Sequence, residues 1–103
     1  MIVRLEAEGA VVLDADDCGR LHLETALAGD GLRAALRATG SGEPVDDATV
    51  LLDLSVLRAR ARLAATAPDW PQRWEQMVEY ARRKGWLSDD GRSVQVHVER
   101  TPG

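Results

Sequence analysis

The side chains able to carry acid–base, nucleophilic or metal chemistry are few: one cysteine, Cys18, two histidines, His22 and His97, and a scatter of carboxylates. Cys18 and His22 stand four residues apart. On a helix that spacing would bring a thiol and an imidazole to one face, giving a nucleophile with its base or, with Asp14 and Asp16, a set of metal donors. The local pattern is that of a strand instead, because Leu21, Leu23, Thr25 and Leu27 share one parity. Cys18 then reads as a buried, inert cysteine and His22 as a surface histidine. Asp14, Asp16 and Gly19 match the first, third and sixth positions of a calcium loop, but Thr25 stands where the bidentate Glu is needed. The segment therefore reads as an acidic turn.

Two further positions could serve a ligand. His97 lies between Val96 and Val98 with Gln95 and Glu99 on its own face, and it would join Arg4 or Glu6 if the terminal strands pair. Asp53 ends an apolar run before a helix, a place where α/β proteins position ligand groups and also an ordinary helix N-cap. Arg58 and Arg62 are displayed on that helix. Asp53, His97, Arg58 and Arg62 are thus the candidate ligand-binding residues. The cap and a solvated sheet face are the plainer explanations of Asp53 and His97. No catalytic constellation, phosphate loop, zinc cluster or dinucleotide motif is legible, so no catalytic residue, metal or cofactor is expected.

The tryptophans Trp70, Trp74 and Trp86 could form an aromatic platform, yet the chain has no Phe and something must supply bulky core side chains. Core packing is the preferred reading. Arg58, Arg60, Arg62, Arg73, Arg82, Arg83 and Lys84 fall on two successive helices followed by a turn and a strand. That order resembles a winged-helix layout, with residues 70–84 in a major groove and residues 86–98 as the wing. Glu75 and Glu79 interrupt the would-be recognition helix, and strands precede it where that layout wants a helix.

The totals set the frame. A chain of 103 residues holds one domain able to bury a core, and 45% hydrophobic with 29% charged residues is an ordinary globular balance. The net charge of −4 argues against a generic nucleic-acid binder. It is unevenly spread: residues 1–53 carry eleven acidic and four basic side chains, residues 54–103 six and nine. The charged start MIVRLEAEG lacks the apolar core of a signal peptide, and no apolar run approaches membrane-spanning length. With a single cysteine, these features suggest a soluble cytoplasmic protein, and the predominance of Arg over Lys suggests a GC-rich bacterial source.

The elements follow from periodicity. Strands are expected over residues 2–8, 10–13 and 20–26, a short helix over 32–39 ended by Gly40, and a loop over 40–47 where Pro44 stands among Gly, Ser and Asp. Val50 to Leu52 read as a central strand and residues 55–66 as a helix. The best-specified element is the helix 70–84, with Asp69 and Gln72 at capping-box spacing, Pro71 in the first turn and Gly85 as left-handed terminator. Trp74 and Met77 lie on its apolar stripe, and Trp86 would fold back on it. Val94, Val96 and Val98 mark the last strand, and residues 101–103 a frayed tail.

The fold class is therefore α+β: a small mixed or antiparallel sheet of three to four strands, with two to three helices packed on one face. The functional expectation is a small non-catalytic interaction or accessory protein. Its partner would be a protein or a second copy, meeting it through a sheet edge, foremost that of the weakly charged last strand, or through the helical face with acidic first half against basic helices. Nucleic acid and membrane are not expected. The alternatives are a winged-helix DNA-binding regulator and a small-molecule-binding domain or minor enzyme using Asp53 and His97.

Overall fold

A computed structural model describes residues 1–102. The chain runs β1 (Ile2–Glu6), β2 (Gly9–Leu13), β3 (His22–Thr25), α1 (Gly29–Ala38), β4 (Gly42–Asp46), β5 (Thr49–Asp53), α2 (Leu54–Ala64), α3 (Trp70–Lys84) and β6 (Ser93–Arg100). The class is α+β with three helices, and the six strands form one mixed sheet of order β2-β1-β3-β6-β5-β4, more than the three or four expected. β3 pairs in parallel with both β1 and β6, and every other pairing is antiparallel. No helix among the described residues is long and apolar enough to cross a membrane.

All five expected strand segments join this sheet, and β4 is a sixth strand in the segment expected to be a loop. Pro44 and the glycines hide it from a propensity reading, but an edge strand tolerates proline because its outer N–H has no partner to lose. β4 occupies that edge, pairs with β5 and slips register between Pro44 and Asp46. Gly42 is required there: a Cβ at this position would lie 1.9 Å from the Leu51 carbonyl oxygen.

Alternation places the core on one side of the sheet. Val3 and Leu5 of β1, Leu23 of β3, Val50 and Leu52 of β5 and all three valines of β6 are buried in one cluster with Leu32, Leu36, Leu57, Ala61, Trp70 and Trp74 of the helices. At the opposite parity, Arg4, Gln95, His97 and Glu99 are exposed, and Ile2, His22, Glu24 and Thr49 are half-buried. The sheet thus has a helix-covered face and an open polar face. Buried Thr25 donates to the Leu5 carbonyl at 2.8 Å and accepts from the Leu27 N–H. Arg60 crosses from α2 to the end of α1, donating to Ser41 Oγ at 2.8 Å and to the Thr39 carbonyl.

The helix ends follow local chemistry at the start of α2 and the end of α3, whereas α1 and α3 both start without a side-chain cap. Asp53 caps α2, its Oδ1 accepting from the Val56 N–H at 3.1 Å and from Ser55 Oγ at 2.7 Å. α3 stops at Gly85, φ 76°, with the Gly85 N–H donating to Arg82 and the Trp86 N–H to Ala81. The capping box at its start does not form. The Asp69 carboxylate makes no cap bond and takes Arg73 Nε at 3.0 Å instead, one turn along the helix. Trp70 and Trp74 are core residues with ring centroids 5.6 Å apart. Met77 is only half-buried, contrary to its place on the apolar stripe, because part of α3 faces a groove.

Two consequences correct the sequence reading. β6 is flanked by β3 and β5, so it is neither the free edge assumed for dimer pairing nor a wing projecting from the body. The terminal strands do share a sheet, but β3 separates them.

Candidate functional site

The site arises from a break along one side of β6. From His97 onward that side is covered by β3 in parallel register, with His22 opposite His97. Nearer its start it is covered by residues 86–88: Leu87 bridges Val94, the Gln95 N–H donates to the Trp86 carbonyl at 2.7 Å, and the Ser88 N–H donates to the Ser93 carbonyl at 2.9 Å. β3 and this short segment do not meet, and between them opens a groove of about 940 Å³. Because the groove lies in the gap, it takes lining from both parities of β6, Val94 and Val96 as well as Gln95 and His97.

α3 forms one wall. Arg73, Gln76, Met77, Tyr80 and Ala81 recur at three- and four-residue spacing and so share one stripe facing the groove. Arg73 and Tyr80 are seven residues apart, which spans about 10 Å at the helical rise. Beyond Tyr80, Trp86 packs edge-on against it with centroids 5.7 Å apart and remains 43% exposed. Of the three tryptophans, Trp86 is the one in reach of a ligand.

The opposite wall is the loop before β3, contributing Cys18, Leu21 and His22. This loop is anchored by Asp16, whose carboxylate accepts from the Thr66 N–H at 3.0 Å, Thr66 Oγ1 at 2.6 Å and the Ala67 N–H at 3.0 Å. The Thr66 hydroxyl, followed by the Ala67 N–H, holds the Asp16 carboxyl below its ordinary range. Trp70 Nε1 donates to the Ala15 carbonyl at 2.8 Å, adding a buried tie to α3. Of the calcium-loop aspartates, Asp16 thus builds a clamp between this loop and the chain leading into α3, and Asp14 takes no part in it. Burial pushes the Cys18 thiol above its usual value, and its nearest polar partner is the Ala15 carbonyl at 3.9 Å, which leaves it a weak nucleophile.

The four predicted ligand residues are not brought together. His97 sits on the open face at the groove, whereas Asp53 lies four rungs away along the same ladder, opposite Ser93, about 13 Å at the strand rise. Asp53 is committed to its cap, and the Ser55 hydroxyl followed by the Val56 N–H lowers its pKa. Arg58 is half-buried and Arg62 exposed on α2, and neither lines the groove.

Sequence reasoning missed two features. The first is the groove itself, which depends on a pairing partner for residues 86–88 that no periodicity announces. The second had a visible signal: the tripeptides His22-Leu23-Glu24 and His97-Val98-Glu99 repeat one pattern 75 residues apart. The β3–β6 register sets His22 beside His97 and Glu24 beside Glu99, a two-by-two array on the open face. Arg4 holds Glu24 Oε1 at 3.0 Å, and His97 Nε2 stands 3.8 Å from Glu99 Oε1. Comparison with protein-family models, with curated proteins and with solved structures found no match to this chain.

Proposed function

We propose that this chain is a binding domain for a small amphipathic molecule, held in the groove between α3 and the break in the sheet. The groove itself carries the reading. Its volume of about 940 Å³ falls in the range of small-molecule sites, roughly 300–1,000 Å³, and its chemistry has their usual mixture. Leu21, Met77, Leu87 and Val96 offer an apolar floor, while His22, His97, Gln95 and Gln76 offer hydrogen-bonding groups around it. Arg20 of the loop and Arg73 of α3 are offset by Asp16 and Asp17 of the loop, so selection rests on shape and hydrogen bonding more than on net charge. The amphipathic dye 1-anilinonaphthalene-8-sulfonate is a direct probe, followed by backbone amide NMR. Shifts are expected to cluster at residues 73–81, 21–22 and 86–87, and Met77→Trp, which fills the floor, should remove them while melting stays cooperative. Shifts scattered over the surface, or unchanged in Met77→Trp, would reject the assignment.

A second reading concerns a partner of the same kind. β2 ends the sheet, carries no charge or proline from Gly9 to Leu13, and leaves Val11 54% exposed. Such an edge favours antiparallel pairing with a second copy. At the other end, Glu43, Pro44, Asp46 and the register slip blunt β4. Light scattering at micromolar concentration should give a dimer mass that falls to the monomer in Val11→Lys. A monomer in the unmodified chain, independent of concentration, rejects pairing.

A further inference from the structure

We propose that His22, His97 and Glu99 form a binding site for a divalent transition-metal ion on the open face of the sheet, at the mouth of the groove. The two histidines are the only ones in the chain. They come from strands distant in sequence, yet the parallel register of β3 and β6 makes them direct neighbours on one face. Adjacent strands lie about 4.8 Å apart, so two imidazoles projecting from one rung can converge on a point above the sheet. Glu99 follows His97 by two residues and faces the same way, and its Oε1 already lies 3.8 Å from His97 Nε2. Donors around a tetrahedral zinc are separated by about 3.3 Å, given metal–donor lengths of about 2.0–2.2 Å. The observed pair is therefore near chelating distance before any rearrangement.

As the side chains stand, no three His, Cys, Asp or Glu groups among the described residues surround a common point. Closure requires side-chain rotation at all three positions: His97 and Glu99 are 62% and 58% exposed and are held by no other partner among the described contacts. His22 is half-buried beside them. Glu24, the fourth member of the array, is kept by Arg4, which also places a positive charge on that side and leaves Glu99 as the available carboxylate. Two imidazoles with one carboxylate select zinc, copper, nickel or cobalt over magnesium and calcium, which prefer all-oxygen sites. Three protein donors leave at least one coordination position open, as catalytic and ligand-holding sites do.

The test is a calorimetric titration of chelator-treated protein with zinc chloride at neutral pH, where the imidazoles bind in their neutral form. One ion per chain is expected. His22→Ala and His97→Ala should each abolish that isotherm, and Glu99→Gln should weaken it. Zinc should also raise the melting temperature of the unmodified chain and not that of His97→Ala. Absence of saturable binding, or binding that survives both histidine substitutions, overturns the site. If an alanine variant does not melt cooperatively, the ring resonances of both histidines in the unmodified chain decide: joint shifts at one equivalent of zinc support the site, and unmoved rings reject it.

Discussion

Asp16 shows how one carboxylate shapes the groove without entering its chemistry. Its bonds to Thr66 and Ala67 hold the loop wall against the chain that leads into α3, and they lower its pKa in the folded protein. A carboxyl whose folded pKa is depressed contributes stability above its unfolded value, about 3.9, and that contribution is lost as pH falls through the folded value. Stability should therefore drop below about pH 4 more steeply in the unmodified chain than in Asp16→Asn, as urea unfolding at stepped pH will show. Parallel curves would mean that the clamp contributes nothing. Trp74 belongs to the same scale: it is 3% exposed, and Trp74→Ala should cost about 3–5 kcal/mol in denaturant unfolding.

Among the elements, β4 depends most on a single backbone position. Gly42→Ala forces a Cβ into the Leu51 carbonyl, so β4 must leave β5 or distort, at about 2–3 kcal/mol; a melting temperature equal to the unmodified chain would contradict this. The same strand marks the limit of the sequence. β1, β3 and β6 are legible by alternation and the three helices by their period, while β2 and β5 show as short apolar runs. α3 runs from Trp70 to Lys84 as Pro71 and Gly85 indicate, whereas α1 begins at Gly29, three residues before its expected start. β4 was not legible, since Gly42 and Pro44 serve a tertiary purpose that local propensity reads as a turn. The Asp69–Gln72 box failed for a similar reason, because Arg73 offered the carboxylate a charged partner. Of the candidate site, His97 was legible from its strand, whereas its pairing with His22 had only the repeated His-x-Glu pattern as a signal, because register between strands 75 residues apart is set by tertiary structure.

At the scale of the whole molecule, β6 joins two parts that otherwise share no strand pairing, β2-β1-β3 on one side and β5-β4 on the other. Removing residues 92–103 should therefore abolish cooperative unfolding, and a truncated chain that still melts sharply would show that the halves hold without it. The arrangement also has a consequence in time. Each half closes through short hairpins, β1 with β2 and β4 with β5, whose local contacts form early. The docking of β6 completes two distant pairings in one event and buries Val94, Val96 and Val98 together. We predict that its arrival, which meets the loop-closure entropy of both distant pairings, sets the folding barrier. Truncating Val96 to alanine should slow refolding nearly in proportion to the stability lost and leave the unfolding rate almost unchanged, whereas truncation of exposed Val11 on the outer strand should change neither rate appreciably.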